Sequence, residues 1–169
     1  PSGFMALGVI IEASEMGLLD IGKIKTISGT SIGAILGGML CIGHSMEVLH
    51  DYLVKRPWEK ALDAHTSDLI DIFEKGGLDG LSMVKIMLTP LLEAADLSSE
   101  ATLKEVYDKS NIELKAVTID VNANYGLEPT VLSWRSHPNL PLFKAAAMPI
   151  FFEKFIINLL TYIWLFVEF

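Results

Sequence analysis

The sequence has little of what marks several protein classes. Cys41 is the only cysteine among the 169 residues, which excludes an internal disulfide and a cysteine-rich zinc site. Its apolar neighbours predict a buried, unreactive thiol. Basic residues are outnumbered 13 to 21 by acidic ones and form no run. With a formal net charge of -8, we expect no nucleic acid partner, and no histidine lies at metal-ligand spacing.

Long apolar runs are also scarce. The longest, residues 155–167, falls short of the ~20 residues that span a bilayer. It predicts a core element, with an interfacial segment anchored by Tyr162 and Trp164 as the alternative. No signal peptide is visible, and we expect a cytoplasmic or peripheral membrane location. Apolar residues make up 51% of the chain, enough for the core of one domain without disulfides.

Apolar spacing predicts helices alternating with a few strands. We expect a helix over residues 4–19, a strand over 23–28 and a buried helix over 34–42. A helical middle section follows, which we interpret as an insertion or cap over the sheet. Its helices are expected to start at Ser45, Ser67, Ser82 and Thr102. Pro90 is expected to kink or break the third of them.

The last third of the chain is richer in β pattern. Strands are expected over residues 112–121 and 129–134, with a turn signal at 122–126 between them. A short helix over 142–147 is expected to stop at Pro149. Because the strand at 23–28 leads directly into a buried helix, the pattern predicts an α/β fold with a mainly parallel sheet.

One motif carries chemistry: residues 29–33 read Gly-Thr-Ser-Ile-Gly. Gly29 and Gly33 remove side chains that would collide in a tight turn between a strand and a helix. Such a turn exposes the hydroxyl of the central Ser31 beside unpaired helix N–H groups, which favour negative charge. Flanked by Thr30 and Ile32, Ser31 is therefore predicted to be a nucleophile. The structural alternative is a tight turn with a capping serine.

The motif and its surroundings resemble the patatin-like phospholipase family. Residues 27–34 are very close to that family's nucleophile elbow. Segments 1–9, 77–80, 116–120 and 142–152 resemble other family stretches in the same order. The resemblance covers residues 1–152, which we assign as an incomplete acyl-hydrolase domain, and 153–169 is an apolar tail that departs from the pattern.

The resemblance implies a three-layer fold in which helices flank a mainly parallel central sheet. It also implies a serine–aspartate dyad that hydrolyses phospholipids or other acyl lipids without a cofactor, during transient contact with a membrane surface. A glycine-rich loop would hold the oxyanion, with Gly3 as its last glycine.

Two departures from the family pattern bear on activity. The earlier glycines of the loop and the first strand would precede Pro1. The family's Asp-Gly pair is expected soon after Phe152, yet residues 153–169 contain neither aspartate nor glycine. Asp79, Asp120 and Glu153 are the substitutes considered, and none is assigned as the base. A tail altered by truncation or frameshift is our hypothesis for the missing pair.

Three other functions are considered. A non-catalytic pseudoenzyme would keep the fold and its lipid surface, and an acyltransferase would pass the acyl group to an alcohol. A triad of Ser31, Asp120 and His137 would suit an α/β-hydrolase. That fold places several strands before its elbow, however, so His137 is expected to be a solvated loop residue.

Overall fold

The computed structural model describes residues 2–58, 80–120, 128–151 and 165–168. Within these ranges the chain forms an α/β fold with one four-stranded sheet. The helices are α1 (Ser2–Glu15), α2 (Ile32–Cys41), α3 (Met46–Lys55), α4 (Gly80–Ala94), α5 (Leu103–Ser110) and α6 (Leu142–Phe151), with a 3-10 turn at Ile21–Lys23. The strands are β1 (Thr26–Gly29), β2 (Glu113–Asp120), β3 (Glu128–Leu132) and β4 (Leu165–Glu168).

The sheet has the order β3-β2-β1-β4. Strand β1 runs parallel to β2 and antiparallel to β4, while β2 and β3 are antiparallel. The prediction of an α/β class is confirmed. The prediction of a mainly parallel sheet is wrong for the described strands, which form a mixed sheet. Only residues 121–127 join β2 to β3, and so short a connection cannot make the crossover that a parallel pair requires.

Helix α2 lies at the centre of the molecule. Every residue from Gly33 to Cys41 is buried, which confirms the predicted buried helix. The helix packs against β1, β2 and α6. A Cβ added at Gly38 would lie 3.6 Å from a methyl carbon of Leu142, so α2 and α6 approach closely at this point. A helix buried on all sides is held in place by its neighbours rather than by its own propensity.

Two of the predicted helix starts are confirmed by their hydrogen bonds. The Ser45 hydroxyl accepts from the Val48 N–H at the start of α3, which ends at Lys55. Thr102 and Glu105 form a capping box at the start of α5, in which each side chain accepts from the other residue's backbone N–H. Both caps satisfy N–H groups that the helix itself leaves unpaired.

Two predicted helix boundaries are wrong, and the break considered at Pro90 does not occur. Ser82 lies inside α4, which already begins at Gly80, and Pro90 lies inside the same helix without ending it. Helix α6 likewise continues through Pro149 to Phe151. A proline removes one backbone hydrogen bond, and here the mutual packing of α4 and α6 outweighs that loss.

The first helix begins and ends earlier than its pattern predicts. Helix α1 starts at Ser2, so Gly3 belongs to its first turn rather than to a loop ahead of it. It ends at Glu15, and Gly17, at φ 71°, reverses the chain so that the N–H groups of Leu18 and Leu19 donate to the carbonyl of Ala13. A positive φ is available to glycine at little cost, which explains the stop.

Several predictions fall on residues that the structure does not describe. These are the helix capped by Ser67, the turn at 122–126 and most of the apolar tail. The end of that tail, Leu165–Glu168, forms β4 and pairs with β1. No helix in the described ranges is long and apolar enough to cross a bilayer.

Candidate active site

The turn at residues 29–33 joins the end of β1 to the start of α2. Gly29 is the last residue of β1, and Ser31 occupies the position just before the helix. A Cβ added at Gly29 would lie 2.5 Å from both the carbonyl carbon and the carbonyl oxygen of Gly33, and 2.8 Å from the amide nitrogen of Ala34. Such distances are far inside van der Waals contact, so the turn closes this tightly only with glycine at position 29.

Ser31 has a backbone conformation that a side-chain-bearing residue rarely adopts. Its φ of 51° and ψ of -130° lie outside the regions allowed to L-residues without strain. Asp96 and Asn111 also have positive φ, but Asn111, with ψ 20°, occupies the ordinary left-handed region at the end of α5. Strain of this kind costs of order 1–3 kcal/mol and persists only where the surroundings enforce it.

Two other helix starts in the same chain show what an ordinary cap looks like. Ser45 and Thr102 both have extended backbones, with φ of -64° and -79°, and their side chains accept a hydrogen bond from the helix they precede. Ser31 has neither property: its φ is positive and its side chain makes no capping hydrogen bond. The alternative interpretation of Ser31 as a capping serine therefore fails on both counts.

The amide groups around Ser31 form the polar part of the site. The Gly33 N–H donates to the Thr30 carbonyl at 2.9 Å, and the Ala34 N–H donates to the Ser31 carbonyl at 2.9 Å. Ile32 is the first residue of α2, and helix geometry supplies no carbonyl for its N–H. This amide follows the serine directly, as does the amide that helps bind the oxyanion in acyl-transfer elbows. The positive end of α2 adds to its preference for an anion.

Accessibility differs within the turn. Gly29 and Gly33 are buried, whereas Thr30, Ser31 and Ile32 are half-buried. The structure thus brings the five predicted residues of the elbow together, with its glycines inside and its serine at the surface of the fold. Gly3 lies in the first turn of α1, a helix that packs against α2, and its role in oxyanion binding stays a prediction.

Because β1 and β2 are parallel, one candidate base, Asp120, ends its strand at the same edge of the sheet as Ser31. Gly29 pairs with Ala116, and Asp120 ends β2 four residues further on. In α/β sheets, ligands bind at this carboxyl edge. Four residues of strand correspond to roughly 13 Å, so proximity to the serine hydroxyl depends on how the chain turns beyond β1. The other two substitutes, Asp79 and Glu153, lie outside the described residues.

His137 lies toward the opposite edge. Strand β3 is antiparallel to β2 and carries the chain back from Asp120 toward Ala116. Just beyond β3, the Arg135 side chain lies 3.3 Å from a carboxylate oxygen of Glu113, at the start of β2. His137 itself is exposed and lies 2.9 Å from the Ser136 hydroxyl. The triad of Ser31, Asp120 and His137 is therefore wrong, and the prediction of a solvated loop histidine is confirmed.

The single cysteine plays no part in this site. Cys41 is fully buried at the last residue of α2, as predicted. Burial raises the pKa of its thiol far above the usual range, and the nearby Glu113 carboxylate raises that pKa further. A thiol that stays protonated is a poor nucleophile and a poor metal ligand. Within the described ranges, no group of three or more His, Cys, Asp or Glu side chains is arranged to hold a metal ion.

Comparison with known proteins adds one relative. No protein-family model and no solved structure matches the chain. A protein of Acanthamoeba polyphaga mimivirus, itself uncharacterized, is 24% identical over 148 residues. That alignment covers 88% of this chain but 47% of the viral protein, so the chain spans about half the length of the relative it matches. The relative's name assigns no activity, and the patatin-like resemblance stays a proposal.

Proposed function

We propose that the chain is a serine-dependent lipid acyl hydrolase of the patatin-like type, with Ser31 as its nucleophile. The observation that supports this most directly is the strained backbone of Ser31, at φ 51° and ψ -130° between a strand and a helix. Strained residues cluster at functional sites, because a fold retains the cost only where the geometry is useful. In an acyl-transfer elbow the strain lifts the serine hydroxyl clear of the turn.

The proposed chemistry uses groups at this turn. The Ser31 Oγ attacks the ester carbonyl carbon while its proton passes to a base. The carbonyl oxygen becomes an oxyanion, stabilised by the Ile32 N–H and the positive end of α2. The bond to the leaving alcohol then breaks, the alcohol takes the proton, and an acyl-serine ester remains. Water hydrolyses that ester, which releases the acid and restores the hydroxyl.

The proposed reaction also needs a base that accepts the Ser31 proton. The family resemblance implies an aspartate shortly after Phe152, but residues 153–169 contain none. Asp120 is the candidate that ends β2, on the carboxyl side of its pairing with β1. A missing general base lowers the rate by about 10² to 10⁴. The absence of aspartate from residues 153–169 thus favours a second candidate, a non-catalytic protein that keeps the elbow and a lipid-binding surface.

The proposed substrates are phospholipids or other acyl lipids, met during transient contact with a membrane surface. With a net charge of -8, we expect the protein to favour zwitterionic over anionic surfaces. The chemistry of a serine nucleophile needs no cofactor. An acyltransferase would use the same elbow, and product analysis distinguishes the two, since hydrolysis gives a free acid and transfer gives a new ester.

A fluorophosphonate probe tests the proposal, because it forms a stable bond only with an activated serine. We expect the folded wild-type chain to be labelled and Ser31→Ala to remain unlabelled. Ser45→Ala is the matched control, since Ser45 also precedes a helix but has an ordinary capping geometry. Labelling that persists in Ser31→Ala would refute Ser31 as the nucleophile. A folded wild-type chain that is not labelled would support the non-catalytic candidate instead.

The same assay examines the base. If Asp120 deprotonates Ser31, Asp120→Asn should slow labelling by about 10² or more, with circular dichroism unchanged. Equal labelling of Asp120→Asn and wild type would eliminate Asp120. Release of fatty acid from phosphatidylcholine, measured for the same variants, separates a reactive serine from complete turnover.

A further inference from the structure

A second candidate site lies at the opposite end of α2 from Ser31. An open groove with a volume of about 900 Å³ runs along the amino edge of the sheet. Lys23 and Lys25 line it from the segment that leads into β1, Ile42 from the end of α2, and Lys109 from the last turn of α5. Helix α2 separates Ser31 from Ile42 by ten residues, or roughly 15 Å. The groove is therefore distinct from the elbow.

The charge of this groove is opposite to that of the protein. The residues that line it include three lysines and His44, and no aspartate or glutamate. The whole chain has 21 acidic and 13 basic residues, so a basic surface of this size runs against its composition. A groove lined by one sign of charge concentrates ions of the other sign.

Several basic side chains of the described residues, including Lys23 of the groove, already have a carboxylate partner. Four lysines and one arginine lie within ion-pair distance of a carboxylate: Lys23 with Asp20, Lys55 with Asp51, Lys85 with Glu100, Lys104 with Asp108 and Arg135 with Glu113. Lys25, Lys109 and Lys144 are within ion-pair distance of no carboxylate among the described residues. Two of these three line the same groove.

Helix ends explain part of this charge but not all of it. Lys109 lies in the last turn of α5, where a cation offsets the negative end of the helix dipole. Lys25 lies in the extended segment before β1 and belongs to no helix, so that explanation does not extend to it. The Lys25 carbonyl accepts from the Glu113 N–H, which fixes its backbone at the groove.

We propose that the groove binds a small multivalent anion that bears phosphate groups, held mainly by Lys25 and Lys109. Lysine binds phosphate as a point charge, and the lining residues include no arginine to form the two-pronged contact that carboxylates favour. The volume is within the range of ligand sites in proteins. Binding here does not depend on Ser31 or on the proposed hydrolase activity.

Calorimetric titration of the full chain with inorganic pyrophosphate tests this proposal. Wild type and Ser31→Ala should bind equally, whereas the double variant Lys25→Gln with Lys109→Gln should bind about tenfold or more weakly, because two charge-assisted contacts are lost. Lys144→Gln is the matched control, since it removes a lysine that also lacks a carboxylate partner and lies outside the groove. It should bind like wild type.

Other outcomes overturn the proposal. The proposal is wrong if wild type gives no heat of binding, or if the double variant binds pyrophosphate as tightly as wild type. It is also wrong if Lys144→Gln loses as much affinity as the double variant, or if potassium chloride at the same ionic strength gives the same heat. A double variant that melts at a lower temperature yet binds as tightly would show that the two lysines contribute to stability alone. Sedimentation with phosphatidylcholine vesicles that contain phosphatidic acid identifies the source of the phosphate. Cosedimentation that needs both lysines indicates a lipid headgroup, and pyrophosphate binding without cosedimentation indicates a soluble anion.

Discussion

Gly29 and Gly33 touch through their backbones alone: a Cβ on the first would lie 2.5 Å from the carbonyl carbon of the second. The contact ties the end of β1 to the first turn of α2 and leaves no room for a side chain. It is the physical reason for the glycine that precedes Ser31 by two positions. A side chain at position 29 would therefore meet backbone atoms of the next helical turn.

Gly29→Ala should destabilise the protein by about 3 kcal/mol, because the new methyl group meets backbone atoms that cannot rotate away. Urea unfolding of the purified variant measures the change. Gly38→Ala is the control at a buried glycine, since its added Cβ would meet Leu142 at an ordinary 3.6 Å. We expect it to be neutral, or stabilising by up to about 1 kcal/mol through helix propensity. Similar losses in both variants would refute the tight contact at Gly29.

Ser31→Gly should be more stable than Ser31→Ala by about 1 kcal/mol, although both remove the hydroxyl. Glycine adopts φ 51° and ψ -130° without the strain that alanine suffers through its Cβ. We expect the free energy gained by removing this strain to exceed the cost of the greater freedom that glycine has in the unfolded chain. Paired unfolding curves in urea give the difference. Equal stability of the two variants would mean that the turn relaxes once the serine is gone.

In mildly acidic solution, the free energy of unfolding should depend on whether the Glu105 carboxyl is ionised. Hydrogen bonds from the Thr102 backbone N–H and hydroxyl lower the pKa of the Glu105 carboxyl below its ordinary value of 4.5. A carboxyl with a lowered pKa in the folded state stabilises the fold above its unfolded pKa. That contribution is lost as the pH falls through the folded pKa.

The measurement compares wild type with Glu105→Gln by thermal melting from about pH 7 to about pH 3. The advantage of wild type should be constant near neutrality and shrink as the solution becomes acidic. Thr102→Ala should cost about 1 kcal/mol near neutrality, since it removes the cap of α5. A wild-type advantage that does not change with pH would exclude an ionised Glu105 from the cap.

Cys41 should resist thiol reagents in the native protein and react quickly once the protein unfolds. It is completely buried, and burial raises the pKa of its thiol, so the reactive thiolate is scarce and inaccessible. Modification by a disulfide reagent should therefore follow the fraction of unfolded protein as urea is increased. Rapid modification without denaturant would show that the carboxyl end of α2 opens locally.

The sequence allowed the elbow and the elements around it to be predicted, because those signals are local. Gly29, Ser31 and Gly33 identify a tight turn by their spacing, and the apolar run after them identifies a buried helix. The caps at Ser45 and Thr102 were also predictable, since a capping hydrogen bond joins residues only three positions apart. Such features depend little on the rest of the fold.

Features that depend on distant residues were missed. Nothing near Pro90 or Pro149 signals that α4 and α6 pack together and tolerate a proline each. No sequence pattern predicted the pairing of β4 with β1 or the basic groove. Lys25 and Lys109 are far apart in the chain and line one groove only because β1 pairs with β2, near the end of α5. Tertiary contacts of this kind leave no periodic pattern in a sequence.

The position of β1 between β2 and β4 has a consequence for folding. Both neighbours of β1 come much later in the chain, starting at Glu113 and Leu165, so the fold has a high contact order around its candidate nucleophile. Folding rates fall as such distant pairings increase. During synthesis, β1 and α2 leave the ribosome long before either partner strand exists, and the strained Ser31 conformation has nothing yet to enforce it. The strained geometry of Ser31 is therefore a late product of folding, and a ribosome-bound chain that ends before β2 should not hold Ser31 in it.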